Sequence, residues 1–165
     1  MKTEEQAKDE ILKSDWNVKN VKFMQGHDGD AMSCTLYKGK KRFATAFDDS
    51  WGGEFQYDIT EDKKENKELL NEFDKFAKSI TAVSKYFKDG MQYNMDIVVN
   101  ELVNDFEQKK QIKNMCRNKI IFKLKSKPDE LWYLKPKNKI TPEVIEHATN
   151  HLKNKYGSDL QEVLN

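Results

Sequence analysis

The chain has 165 residues, 35% of them charged and 37% hydrophobic, with a mean hydropathy of −0.91 and a formal charge of +1. That length fits one domain, or one domain carrying a small appended subdomain, and 9 Phe, 6 Tyr and 3 Trp supply enough large apolar side chains for a core, which argues against wholesale disorder. No apolar run approaches the ~18 residues of a membrane span, and the opening MKTEEQAKDE is too polar for a signal peptide, so a cytoplasmic protein with no membrane partner is expected.

Residues 3–14 are strongly charged with Ala7, Ile11 and Leu12 on one side, which predicts a short helix. From Trp16 to Ile59 the pattern changes to strand. Asn17–Phe23 partly alternates, and Ala31–Tyr37 and Lys41–Phe47 flank Lys38-Gly39-Lys40, a hairpin signal. Glu54–Ile59 alternates Phe55, Tyr57 and Ile59 with polar neighbours. Leu69, Leu70, Phe73, Phe76, Ala77, Ile80 and Val83 then recur at helical steps, predicting one amphipathic helix over about 65–87, broken at Asp89-Gly90. Val98 to Ile112 predict a second helix over about 95–115, with Asn94 or Asp96 as its N-cap. The two read as an αα-hairpin.

Lys119–Lys125 predicts a further strand, Lys127–Glu130 a proline turn, and Leu131–Leu134 a short strand ended by Pro136. Thr141-Pro142-Glu143 is a helix start: Thr as N-cap, Pro at the first position, acid in the first turn. That helix is expected to end at Tyr156 with Gly157 beyond it, and Ser158 to cap a last turn through Leu164. The fold class is therefore α+β: an N-terminal antiparallel sheet of three to four strands, a central αα-hairpin, a basic β-hairpin and a C-terminal helix. A single compact domain over 1–165 is expected, divisible at most into 1–62, 63–117 and 118–165.

Chemical signatures are sparse. Cys34 and Cys116 lie far apart with no CxxC, and read as two reduced, partly buried thiols. His147 and His151 have the four-residue spacing that can grip a metal, but HExxH is absent and both fall at the edge of the apolar stripe. No GxSxG, phosphate-binding loop or GxGxxG occurs. No catalytic residue, cofactor or metal is assigned. Of 29 basic residues only Arg42 and Arg117 are arginine, a lysine and asparagine skew that marks an AT-rich coding genome and disfavours bidentate phosphate or guanine recognition.

The sharper inference is geometric. If Lys38-Gly39-Lys40 is the hairpin loop, Asp30 stands opposite Asp48 and Asp28 near residue 50. The glycine loops Gly26–Asp30 and Asp48–Glu54 then meet at one end of the sheet, gathering Asp28, Asp30, Asp48, Asp49, His27 and Trp51. Like charges so close need a neutralising cation or a basic partner. A divalent cation, a protein-binding rim and plain turn chemistry are the three readings.

The motifs Gln25-Gly26-His27-Asp28-Gly29-Asp30 and Asp48-Asp49-Ser50-Trp51-Gly52-Gly53-Glu54, with Ile121–Lys125 through Tyr133 and Lys155-Tyr156-Gly157, resemble a group of small uncharacterised proteins encoded by phages and mobile elements of AT-rich bacteria. The resemblance implies an accessory gene product acting in the cytoplasm of a bacterial host, and no activity. The expected function is accordingly that of a non-enzymatic binding protein that occludes or modulates a host protein, host-defence factors included. Its partner-binding residues are Trp51, Asp48, Asp49, Glu54, His27, Asp28 and Asp30.

Charge distribution supplies the alternatives. Residues 48–74 hold ten acids against three lysines, while 109–139 hold eleven bases against Asp129 and Glu130. The basic stretch carries Phe122, Trp132 and Tyr133, a composition that can track a nucleic-acid backbone through Lys119, Lys123, Lys125, Lys135 and Lys137. Lysine at alternate strand positions is also ordinary edge protection. A metal- or ligand-binding protein built on the Gly26–Glu54 hairpin end is the third function.

Overall fold

Thr3 sets the start of the first helix. Its hydroxyl accepts the Gln6 amide at 3.2 Å while the Gln6 side chain accepts the Thr3 amide at 3.0 Å, so two otherwise orphaned amides are satisfied. In this computed structural model, which describes residues 1–26 and 29–165, α1 (Glu4–Lys13) follows the short strand β1 (Lys2–Thr3) and buries Ala7 and Ile11, four residues apart.

A four-stranded antiparallel sheet comes next, in the order β2 (Trp16–Gln25), β3 (Asp30–Lys38), β4 (Lys41–Asp48), β5 (Gln56–Ile59). Its alternation sorts two faces. Trp16 and Val18, Cys34 and Leu36, and Ala44 and Ala46 enter the core, whereas Asn17 and Lys19, Ser33 and Tyr37, and Thr45 and Asp58 take the other side. Two bulges modify the pattern. In β2 the register shifts between Lys19 and Lys22, where Asn20 adopts a positive φ of 54°, a conformation asparagine tolerates. In β4 Leu36 pairs with Ala44 but Tyr37 with Arg42, and the extra residue, Phe43, packs fully buried between Trp16 and Phe73.

Helix α2 (Lys64–Lys78) buries Phe73 and Ala77. It is shorter than the expected 65–87. The Ser79 hydroxyl donates to the Phe76 carbonyl at 2.6 Å, and the following Thr81–Val83, two of whose three residues are β-branched, prefers an extended backbone. Those residues form β6 (Thr81–Val83), parallel to β1 and antiparallel to β7 (Met91–Gln92). Ile80 is still buried in the core, from the link and not from a helix. Asn94 caps α3 (Met95–Met115) by accepting the Ile97 amide at 3.0 Å, and Val98, Val99, Leu102 and Val103 line its buried side. The two central helices are thus present, joined by a small strand pair.

Beyond them β8 (Ile120–Leu124) pairs antiparallel with β9 (Lys127–Leu134), and α4 (Pro142–Tyr156) begins as expected, with the Thr141 hydroxyl accepting the Val144 amide. Two details differ from the sequence reading. The tight turn is Lys125-Ser126, so Lys127–Glu130 belongs to β9, an edge strand in which Pro128 costs no ladder bond. The expected last turn through Leu164 is cut short: after α4 a single 3-10 turn over Gly157–Asp159, opened by Gly157 at a positive φ of 55°, leads into β10 (Leu160–Val163), which pairs with β8.

The fold is a mixed α+β arrangement in two compact units, Met1–Glu107 and Gln108–Asn165. The first holds the larger apolar cluster; the second holds Phe122, Leu124 and Leu152 with Trp132, Leu134 and Tyr156 packed around them. Among the described residues no helix is long and apolar enough to cross a membrane.

Candidate partner-binding site

The end of the four-stranded sheet remote from the Gly39 turn is built by close backbone approach. The Gly26 amide donates to the Gly29 carbonyl at 2.7 Å, and a methyl group at Gly26 would collide with the Ser50 side chain. The loop after β3's partner strand therefore folds onto the loop between β2 and β3, as the glycine motifs predict. The register differs by two residues: Met32, not Asp30, stands opposite Asp48, and Asp30 pairs with Gln25. The cause is twofold. The hairpin loop is the two residues Gly39-Lys40, and the Phe43 bulge adds one more step. Asp30 and Asp48 nonetheless close adjacent strands at the same end.

The carboxylates there have local work. Asp48 accepts the Ser50 amide at 2.9 Å and Asp49 the Trp51 amide at 3.0 Å, side-chain turns that fix the loop. Ser50, between Asp49 and Trp51, has a positive φ of 65° and a buried hydroxyl. Asp30 and Glu54 are exposed. His27 and Asp28 lie outside the described residues. Among the described residues no three His, Cys, Asp or Glu side chains gather as a metal would require.

Trp51 is 64% exposed at the apex of this loop, and Phe23 and Met24 at the end of β2 are 51% and 49% exposed. Phe23 shares a cross-strand row with Met32 and Asp48. Three large apolar side chains thus surface at the sheet end that carries Asp30, Asp48 and Asp49. Phe23 and Met24 do not figure in the sequence reading, although the signal was present: two adjacent apolar residues in a strand point to opposite faces, so both cannot enter one core.

Asp96 is a second residue with an unforeseen role. It does not cap α3; its carboxylate accepts the Tyr57 hydroxyl at 2.6 Å and the Phe55 amide at 3.2 Å, tying the strand after the Trp51 loop to the helix start. Burial, and then that hydrogen bond, push the Tyr57 hydroxyl far above its ordinary range. Burial likewise pushes the Cys34 thiol up to about 12, so it is a protonated core thiol and not a nucleophile.

The basic segment is divided by its own packing. Lys119 lies over the Tyr133 ring at 4.2 Å, and Lys123 pairs with Glu162 of β10 at 3.1 Å. Lys125, Lys135 and Lys137 are exposed, the last two facing α4 across a groove. The five lysines therefore serve several surfaces.

Comparison with family models, curated proteins and solved structures finds no significant match to this chain.

Proposed function

We propose that this chain is a binding protein that docks on a basic protein surface through the loop end of its four-stranded sheet, with Trp51 as anchor. The observation that carries this reading is the 64% exposure of Trp51 on a loop pinned by Asp48 and Asp49. A large, mostly exposed ring on a turn fixed by its own side-chain hydrogen bonds loses little entropy when it enters a partner's pocket. Phe23 and Met24, on opposite faces of the same sheet end, add exposed apolar surface to either side of it, and Asp30, Asp48, Asp49 and Glu54 form an acidic rim, which speeds association with a cationic surface. The resemblance to proteins of phages and mobile elements makes a host protein the partner, occluded or modulated by binding.

Capture from nuclease-treated host lysate with tagged wild type and Trp51→Ala tests this. The expected result is a partner retained by wild type and weakened by at least about 2 kcal/mol in the variant, with thermal stability within about 0.5 kcal/mol. A partner held equally by both proteins, or one lost on nuclease treatment, overturns the reading.

A further inference from the structure

In the second unit, α4 runs beside the segment that leaves β9, and the two enclose a groove of about 800 Å³. Its helical wall extends from Glu143 to His151, eight residue steps or about 12 Å. The floor is apolar: Ile120 is 1% exposed, and Leu134, Val144 and Ala148 line the walls above it. The rim is polar, with Lys135 and Lys137 on one side and His147 and His151, one turn apart, on the other; Glu143 is the single acid among the lining residues. The volume lies in the upper part of the roughly 300–1,000 Å³ that small-molecule sites occupy, and apolar walls with a few convergent polar groups are their usual composition.

We propose that this groove binds a small apolar carboxylate, a medium-chain acyl acid or an aryl acid of similar length. The apolar floor disfavours a nucleic-acid backbone, whose charge must stay solvated or paired along its whole length. Two helical turns are too short to seat an amphipathic helix by the usual anchors at i, i+4 and i+7, with more beyond. Two ammonium groups facing a single carboxylate select an anionic head, and the imidazoles add hydrogen-bond donors for it. Among the described residues no three His, Cys, Asp or Glu side chains gather as a metal would require, the histidine pair included. This site is separate in sequence and unit from the Trp51 loop, so the two proposals stand or fall independently.

The test is calorimetric titration of the full chain with decanoate, with decylammonium as the same chain bearing a cationic head. Saturable one-to-one decanoate binding is expected, at least tenfold tighter than decylammonium. Ala148→Trp, which fills the groove, and Lys135→Glu with Lys137→Glu, which reverses the rim, should each weaken decanoate at least tenfold. Because Ala148→Trp can disturb folding, the His147 and His151 ring resonances of the wild type are followed in parallel and should shift on decanoate addition. Absence of saturable binding, equal affinity for both head groups, or ring resonances that stay fixed while decanoate binds would overturn the proposal.

Discussion

Trp16 and Trp51 belong to the same sheet and meet opposite fates. Trp16 is 6% exposed, edge-on to Phe43 with ring centres 5.5 Å apart and 5.1 Å from Phe73, so Trp16→Ala should cost about 3–5 kcal/mol in urea unfolding, against less than about 0.5 kcal/mol for exposed Trp51→Ala. Equal losses would mean that Trp51 packs as a core residue. Asp96→Ala should cost about 1–3 kcal/mol, because it strips the partly buried Tyr57 hydroxyl and the Phe55 amide of their acceptor; Tyr57→Phe, which removes the donor and keeps the ring, should cost less. Cys34 adds a pH dependence with a definite sign. Its folded pKa of about 12 exceeds the ordinary 9.0, so the folded state holds the proton longer, and the stability this contributes is present below pH 9 and lost as pH rises toward 12. Tyr57, also shifted up, adds a fall in the same direction at higher pH. Cys34→Ala should therefore flatten the decline between pH 9 and 10, measured by urea midpoints. None of the Asp96 chemistry was legible locally, because its partners lie 41 and 39 residues away.

At the scale of elements, what the sequence made legible was what local chemistry determines. Thr3, Asn94 and Thr141 are side-chain caps with partners three residues on, and each starts its helix where spacing predicts. Gly39 placed the hairpin, and with it the convergence of the two glycine loops. The register differs from the expected one by two residues, one step from the shorter Gly39-Lys40 loop and one from the bulge, whose local mark is the adjacent apolar pair Phe43-Ala44. The elements that differ from the local pattern are those whose identity depends on a distant neighbour. Ile80 and Val83 fit a helical period, but Ala82 pairs with Lys2 and Met91; residues 160–163 are a strand because β8 offers an edge. That last pairing has a residue that secures it. Asp159 accepts the Ser126 amide and hydroxyl, both at 2.8 Å, and its carbonyl takes the Lys125 amide at 2.8 Å, so the β8–β9 turn is stitched to the entry of β10. Asp159→Ala should destabilise this sheet by about 1–2 kcal/mol, its two lost side-chain bonds being solvent-accessible. Native-state hydrogen exchange of the β8 and β10 amides reads it, and unchanged rates would show the stitch to be idle.

The whole molecule carries two apolar clusters and an uneven charge. The acid-rich 48–74 lies in the first unit and the base-rich 109–139 in the second, so a cationic partner and an anionic ligand would be drawn to different units. The clusters differ in size. Among the described residues the first gathers twenty buried residues around Trp16, Phe43 and Phe73; the second unit buries Phe122, Leu124 and Leu152 in its cluster and, outside it, Ile120 and Ile121. Stabilisation by burial scales with apolar area removed from water, so the second unit should open at lower free energy than the first, as a separate cooperative step. Leu152 is 1% exposed and central to the smaller cluster. Leu152→Ala should cost about 2–5 kcal/mol and, in native-state hydrogen exchange, accelerate amides of β8, β9, α4 and β10 while leaving β2–β4 near wild-type rates. Phe73→Ala should do the converse, speeding exchange in the four-stranded sheet. If Leu152→Ala instead speeds exchange in all strands by the same factor, the chain unfolds as one cooperative body and the two clusters act as a single core.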